Sequence, residues 1–187
     1  MVREGEVFFD VAYPEHLSRG LIFIKWLLII PHIIVLWVLS VVASVVYVIG
    51  WFAVLILGRY PVGMWNFATM VLRWGMRVNV YTSLMRDEYP PFGDASYPIR
   101  FDVLYPQRLS RWKIFFKWLF VIPHMIALYV LGIIFSIVSV IAWFAILITG
   151  RYPQALFDFS VGVLRWGLRV SMYLFCLTDV YPPFSLR

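Results

Sequence analysis

The chain has 187 residues, of which 63% are hydrophobic and only 14% are charged, and its mean hydropathy is +0.84. Soluble domains are nearer half apolar and about a quarter charged, so the composition excludes an ordinary soluble domain and predicts an integral membrane protein. The net charge of +6 does not indicate a nucleic-acid partner, because no basic run stands clear of the apolar segments. Basic residues flanking apolar segments instead predict a multi-pass protein of the cell membrane with cytoplasmic termini.

Residues 1–6 carry neither a basic start followed by an apolar stretch nor a small-residue cleavage site. Without that signal-peptide pattern, we expect the first apolar segment to remain in the mature chain.

The chain contains the same pattern twice, at a constant spacing of 92 positions. Phe9 to Phe92 returns without a gap as Phe101 to Phe184. Self-similarity at a fixed period indicates repeated supersecondary units. We therefore expect two membrane repeats, residues 1–92 and 93–187, related by a pseudo-two-fold axis, with the functional surface where they meet.

Each repeat opens with alternating aromatic and β-branched residues that end at Tyr-Pro, at 6–11 and again at 98–103. This pattern is typical of a short strand. The two strands are expected to pair with each other outside the membrane, on its cytoplasmic side.

A long apolar run follows in each repeat, from Gly20 to Leu57 and from Lys113 to Thr149. Each run is roughly twice the length that crosses about 30 Å of hydrocarbon. We favour a transmembrane helical hairpin with spans at 20–38 and 41–57, although the segment between them lacks strong turn residues.

The alternative for this run is an interfacial helix up to Ile30, followed by one long kinked helix that begins at Pro31. Both arrangements predict an all-α membrane fold with about four spans in total.

The next segment, Val62 to Met85, places Arg73 and Arg77 on one helical stripe. Crossing the bilayer would cost about 2.5 to 3.5 kcal/mol for each unpaired arginine. We therefore favour an amphipathic helix lying in the interface, here and at 154–177, while crossing stays open.

The sequence shows no constellation that carries catalysis. No Gly-x-Ser-x-Gly, phosphate-loop or His-Glu-x-x-His motif occurs, so we expect neither an enzyme nor a metal site. The single cysteine, Cys176, lies in an apolar stretch and is interpreted as a small buried residue.

Several short motifs recur in both copies, and the second copy carries them in full. They are Arg108-Leu109-Ser110-Arg111, Lys117-Trp118-Leu119, Ile122-Pro123-His124, Gly150-Arg151-Tyr152-Pro153, Leu164-Arg165-Trp166 and Tyr181-Pro182-Pro183-Phe184. With these motifs the chain resembles an uncharacterised prokaryotic membrane family, domain of unknown function 4389, over nearly its whole length. The resemblance implies a family and no activity.

The two copies differ at His16, where the second has Arg108, and at Asn66, where the second has Asp158. If Asp158 neutralises Arg165 two turns later, only the second copy has that partner. The two halves are therefore expected to have unequal roles.

His32 and His124 each follow a proline inside an apolar run. We expect them to bond backbone carbonyls that the prolines leave without donors. The alternative is that the repeat brings them face to face as ligands of a haem or pigment, or that they relay protons.

Basic residues near the apolar runs and on the arginine-rich helices predict two cradles for anionic lipid head groups, with ordinary topology-setting charge as the alternative. The predicted head-group ligands are Arg19, Lys25, Arg73, Arg77, Arg111, Lys117, Arg165 and Arg169.

The leading functional hypothesis is a non-catalytic accessory or scaffold subunit that binds membrane lipids and other integral membrane subunits, or associates with itself, without a cofactor. A bis-histidine electron-transfer or light-harvesting subunit, with haem or pigment at His32 and His124, is the second hypothesis. A small transporter or channel is the third, because internal repeats are common in transporters.

Overall fold

The computed structural model describes residues 4–93 and 95–187, and it consists of two equivalent sets of elements. Residues 1–3 of the N-terminal segment lie outside the described residues. In chain order the elements are strand β1 (Val7–Val11), a 3₁₀ turn (Leu21–Phe23), and helices α1 (Lys25–Leu28), α2 (Ile30–Leu57) and α3 (Val62–Thr82), then strand β2 (Ile99–Val103) and helices α4 (Lys113–Thr149) and α5 (Gln154–Leu174).

The two predicted strands form one antiparallel ribbon. Phe9 lies opposite Phe101, and Val7 lies opposite Val103. Phe9 and Phe101 are equivalent positions of the two copies, so the register is symmetric about this pair. The pseudo-two-fold axis of the molecule therefore passes through the centre of the ribbon, perpendicular to the strands, as the repeat predicted.

The predicted helical hairpin is wrong, because each long apolar run forms a continuous helix through its middle. The Ser40 hydroxyl donates to the Trp37 carbonyl and the Ser44 hydroxyl to the Val41 carbonyl, both at 2.7 Å, so these serines bond within α2. No proline lies at the centre of either run, and the single glycine there, Gly132, is accommodated inside α4 without a break. The alternative with one long helix fits better, with Pro31 in the first turn of α2 and Pro123 inside α4.

By length and composition, two helices of the described chain are long and apolar enough to cross a membrane, at Lys25–Leu57 and Lys113–Thr149. The sequence had predicted about four spans. The arginine-rich helices α3 and α5 do not meet the same criterion.

Glycines end both long helices. Gly58 follows α2 with φ of 69°, and Gly150 follows α4 with φ of 72°. This left-handed conformation suits glycine, which has no Cβ to collide with the preceding turn. The chain then reverses through Tyr-Pro, so α3 packs back along α2 and α5 packs back along α4.

The two long helices run antiparallel to each other. Phe23, just before α1, meets Trp143 near the end of α4, with ring centroids 5.3 Å apart. Phe115, at the start of α4, meets Trp51 near the end of α2 at 5.5 Å. The start of each long helix thus lies beside the end of the other, which is the antiparallel arrangement.

Helix α3 lies between the first half of α2 and the centre of the molecule, whereas Val54 in the second half of α2 belongs to the central core. Met70, Trp74 and Val78 pack against α2, whereas Met76 and Val80 belong to the central core. Positions two residues apart point about 200° away from each other on a helix, so these are opposite faces. The ribbon contacts α5 through β1, and its inner residues Val7, Phe9, Val11 and Phe101 complete the central core.

Candidate functional site

Each histidine lies in a closed aromatic box of its own repeat. His32 has no exposed surface, stacks on Phe92 with ring centroids 4.1 Å apart, and accepts a hydrogen bond from Trp74 Nε1 to its Nδ1 at 3.0 Å. Tyr89 closes the box at 4.8 Å.

His124 is enclosed in the same way. Its ring stacks on Phe184 at 3.9 Å, Trp166 Nε1 donates to its Nδ1 at 3.0 Å, and Tyr181 lies 5.1 Å away. The two rings are therefore held in separate boxes and do not form the facing pair that a shared cofactor would need.

The tautomer of these histidines also bears on metal binding. A neutral imidazole has one acceptor nitrogen, and the tryptophan bond occupies it at Nδ1, so Nε2 carries the proton. Nε2 of His32 and Nε2 of His124 are buried and bond no described residue. The prediction that they bond proline-freed carbonyls is thus wrong, and a protonated Nε2 has no lone pair for a metal.

The two lysines inside the apolar runs are buried in ion pairs. Lys25 Nζ lies 2.8 Å from Asp87 Oδ1 and donates to the Arg86 carbonyl at 2.7 Å. Asp87 also accepts the Ser18 amide at 2.5 Å. The carboxylate therefore fastens the start of the long helix to the end of α3.

Lys117 and Asp179 repeat the arrangement, with Nζ and Oδ1 separated by 2.7 Å. Lys25 and Lys117 are each 2% exposed. Because their charges are already compensated inside the protein, neither ammonium is open to a lipid phosphate. These two residues leave the predicted set of head-group ligands.

Of the arginines on α5, Arg165 points at the ribbon. Its Nε donates to the Phe9 carbonyl at 2.6 Å, and its Nη2 lies 3.1 Å from Asp10 Oδ1. The carboxylate beside Arg165 is therefore Asp10 of the first repeat, and the exposed Asp158 is not among its bonded partners. Arg169 bonds the Arg187 carbonyl at 2.7 Å.

On α3, Arg73 lies with its guanidinium carbon 5.3 Å from the centre of the Phe101 ring. Arg77 is 5% exposed and bonds the Gly93 carbonyl at 2.6 Å. Both line a polar cavity of about 560 Å³ with Arg100 and Asp102. The α3 and α5 arginines thus contact the ribbon, the linker and the C-terminal segment, and their predicted role in head-group binding stays a prediction.

Arg19 and Arg111 each lie beside the C-terminal end of the long helix of the other repeat. Arg111 rests against Gly58 at the end of α2, and Arg19 rests against Gly150 at the end of α4. The backbone of one repeat also contacts the helix end of the other, since the Leu109 amide donates to the Gly58 carbonyl at 2.9 Å. A guanidinium here complements the partial negative charge of a helix C-terminus.

At the end of α2 the structure adds two arginines that the sequence had not singled out as ligands. Arg59 and Arg108 join Arg111 around an open groove of about 710 Å³, together with Leu57, Gly58, Gln107 and Leu109. We name Arg59, Arg108 and Arg111 the arginine cluster. The equivalent positions at the end of α4 are Arg151, His16 and Arg19, with Glu15 in place of Gln107.

The other prominent surface is apolar and belongs to the long helices. Exposed side chains on α1, α2 and α4 include Trp26 at 67%, Trp37 at 68%, Trp118 at 61% and Tyr129 at 73% exposure. Among the exposed large hydrophobic residues of the described chain, Val62 is the only one that belongs to α3 or α5. We name the exposed faces of α1, α2 and α4 the apolar layer.

Sequence reasoning missed the acid partners of the two lysines and the tryptophan partners of the histidines. A signal was present, because Asp87 and Asp179 are spaced by the same 92 positions as Lys25 and Lys117. Neither spacing nor periodicity says which of several equally repeated residues meet in space.

The comparison with curated proteins and the comparison with solved structures each gave no match. A family model, described as a domain of unknown function (DUF4389), matches residues 19–93 and again residues 111–185. These two stretches cover most of the chain, and each contains the helices of one structural repeat but begins after its strand. The chain therefore belongs to the DUF4389 family, as two tandem copies of its domain.

Proposed function

We propose that the protein is a non-catalytic membrane protein that serves as an accessory or scaffold subunit and binds anionic lipid. The observation that carries this proposal is the combination of a broad apolar layer with arginines at both of its ends. A continuous exposed apolar surface of this extent marks a membrane or protein interaction site.

The size of the apolar layer favours lipid as its main neighbour. The exposed residues run along the whole of α2 and α4, from Ile33 to Leu57 and from Phe115 to Ile148. A soluble protein rarely leaves such a surface uncovered. Larger membrane subunits, or a second copy of the chain, would occupy part of the same layer in an assembly.

The arginine cluster supplies the preference for negative charge. Arg59 and Arg108 are exposed, and the described residues that line their groove with Arg111 include no carboxylate, although Glu4 accepts a hydrogen bond from the Gln107 amide at its edge. Guanidinium groups recognise phosphate through paired hydrogen bonds. The end of α4 carries His16 and Glu15 at the matching positions, so its positive charge is lower.

Binding of phosphatidylglycerol and phosphatidylcholine to the purified protein, compared by native mass spectrometry, tests this proposal. Each basic residue near a membrane surface contributes about 1 kcal/mol of attraction, so Arg108→His should weaken phosphatidylglycerol binding roughly fivefold. The reciprocal variant, His16→Arg, should strengthen it by a similar factor, because it gives the end of α4 a third arginine.

The matched control is phosphatidylcholine, whose binding neither substitution should change. Equal affinity for both lipids in the wild-type protein would contradict the lipid part of the proposal. Purification from the native membrane, at near-native expression, tests the other part. Recovery of a lipid-free monomer without any stoichiometric protein partner would contradict an accessory role.

A further inference from the structure

We propose that the protein docks on one leaflet of an anionic bilayer, with α2 and α4 lying along the membrane plane and the β-ribbon facing water. This inference rests on the proposed membrane function and specifies its geometry. The two long helices would then be embedded without crossing, although each is long and apolar enough to cross.

The first argument comes from the pseudo-two-fold axis. The axis passes through the Phe9 and Phe101 pair, perpendicular to the ribbon. The long helices run antiparallel and are related by the same axis, so they lie across it. The direction of the helices in the membrane therefore fixes where the ribbon points.

If the long helices stood upright in the bilayer, the axis would lie in the membrane plane. The outer face of the ribbon would then point sideways into lipid at mid-depth. That face carries Asp10, Arg100 and Asp102, which are half-buried or exposed. Charged side chains at mid-bilayer cost about 2.5 to 3.5 kcal/mol each, and open strand edges have no backbone partners in hydrocarbon.

If the helices lie flat, both surfaces meet the medium that suits them. The axis becomes the membrane normal, the apolar layer faces the acyl chains, and the ribbon lies at the opposite pole of the molecule. Helices α3 and α5 lie between, where their arginines contact the ribbon through Phe9 and Phe101 and not the lipid. From the membrane outward, the order is then the apolar layer, helices α3 and α5, and the ribbon, which suits a protein bound to one leaflet.

The dimensions and the aromatic residues agree. At about 1.5 Å per residue the two candidate spans are roughly 50 and 56 Å long, well beyond the 30 Å or so of a hydrocarbon core. Trp37 and Tyr129, both largely exposed, lie in the middle third of the two candidate spans. Tryptophan and tyrosine prefer the interface, so a position halfway along an upright helix would suit them poorly.

Charge at both ends supports the same placement. The arginine cluster lies at the end of α2, and Arg19 and Arg151 lie at the end of α4, which is the opposite end of the layer. In the flat orientation both ends reach the head groups of one leaflet. Upright, the two clusters would face opposite sides of the membrane, contrary to the positive-inside preference.

Cysteine labelling in sealed vesicles tests the geometry. In a Cys176→Ser background, Glu15→Cys and Gln107→Cys place single thiols at opposite ends of the long helices, and Arg100→Cys places one on the ribbon. All three sites are exposed positions. We expect a membrane-impermeant maleimide to label all three from the same side, before the vesicles are permeabilised.

The result that would overturn the inference is labelling of Glu15→Cys and Gln107→Cys from opposite sides, or protection of Arg100→Cys until the membrane is dissolved. Flotation of the same samples with phosphatidylglycerol liposomes separates the two proposals. Loss of flotation would reject the membrane function itself, whereas flotation with opposite-side labelling would reject only the flat orientation.

Spin labels along α4 give an independent measurement. Ile122→Cys, Ile133→Cys and Ile148→Cys replace exposed residues that span about 39 Å of helix. We expect similar depths in the bilayer at all three positions. A depth profile that peaks at Ile133 would indicate an upright helix. Strong coupling between spin labels of two molecules would indicate that a second copy covers the apolar layer. Either result would overturn the proposal.

Discussion

At the scale of single residues, the polar groups inside the apolar runs are explained by partners in the same repeat. Lys25 and Lys117 are compensated by Asp87 and Asp179, at 2.8 and 2.7 Å. These interactions hold the start of each long helix against the end of the following short helix. Since the acids also bond backbone amides, each pair stabilises a turn as well as two helices.

Removing one partner of a buried ion pair should be strongly destabilising. Asp87→Asn leaves the Lys25 ammonium, 2% exposed, without a counter-charge, and we expect a loss of about 3 to 5 kcal/mol in the free energy of unfolding. Equilibrium unfolding in mixed detergent micelles measures this difference. Asp179→Asn should behave alike, because the second repeat has the same geometry.

The control for this prediction is Glu88→Gln, whose carboxylate is 51% exposed in its ion pair with Arg86. A surface pair of this kind contributes at most about 1 kcal/mol. The double variant Lys25→Met with Asp87→Leu should recover most of the lost stability, since it leaves no buried charge. Equal stability of Asp87→Asn and wild type would show that the ion pair does not matter.

Cys176 should be chemically inert in the folded protein. The side chain is 3% exposed, and burial raises the pKa of its thiol, which the nearby Lys117 lowers in part. The thiolate is the reactive form, so both limited access and low ionisation slow alkylation. We expect N-ethylmaleimide to react at pH 8 only after unfolding, as followed by mass spectrometry; rapid reaction of the folded protein would contradict the burial.

At the scale of elements, the two repeats differ in how the tyrosine that follows each long helix is packed and hydrogen-bonded. Gly50 allows the Tyr60 ring to lie directly on α2, where its hydroxyl donates to the Val46 carbonyl at 3.1 Å. A Cβ at Gly50 would approach Tyr60 Cζ to 2.0 Å. The second repeat has Ala142 at the matching position, and the hydroxyl of its Tyr152 instead lies 3.1 Å from Ser160 Oγ.

This difference predicts a compensated pair of substitutions. Gly50→Ala should lower the stability by about 1 to 3 kcal/mol, because the new methyl group displaces the Tyr60 ring. Adding Ala68→Ser should restore part of the loss, since it supplies the hydroxyl that Ser160 provides in the second repeat. The thermal unfolding midpoint in detergent measures both effects.

Gly132→Ala is the matched control, because no atom of the described residues lies within 4 Å of a Cβ built there in the middle of α4. Alanine has the higher helix propensity, so this variant should be neutral or stabilised by up to about 1 kcal/mol. A Gly50→Ala protein as stable as the Gly132→Ala protein would contradict the close packing of Tyr60.

At the scale of the whole molecule, the repeats are interlocked. The Tyr13 hydroxyl donates to the Tyr152 carbonyl at 2.5 Å, and Tyr105 bonds the Tyr60 carbonyl. The Trp65 indole bonds the Leu177 carbonyl at 3.0 Å. Residues of each repeat therefore cover the helix ends of the other repeat. The ribbon also consists of one strand from each repeat.

This exchange predicts that neither half folds as a monomer by itself. Residues 1–92 and 93–187, expressed separately, should lack cooperative unfolding, because a lone half has an unpaired strand and an exposed share of the central core. Co-expressed halves should copurify as a 1:1 complex with the circular-dichroism spectrum of the intact chain. A folded, monomeric 93–187 fragment would contradict the interlock.

The sequence by itself determined the features that depend on composition and on the repeat. Its hydropathy indicated two long apolar segments, and the 92-residue period indicated the two copies and the pairing of their two strands across a pseudo-two-fold axis. These properties can be read locally or by comparing one copy with the other. No knowledge of the folded path is needed for them.

Only the tertiary structure decided which repeated residues meet. It joined the long helices antiparallel, enclosed His32 and His124 in separate boxes, paired Lys25 with Asp87, and turned Arg165 toward Asp10 of the other repeat. The physical reason is that a lysine in an apolar run can either reach a lipid phosphate or find a buried carboxylate. Which of these has the lower free energy depends on chain segments far away in sequence, and only the packed molecule brings those segments together.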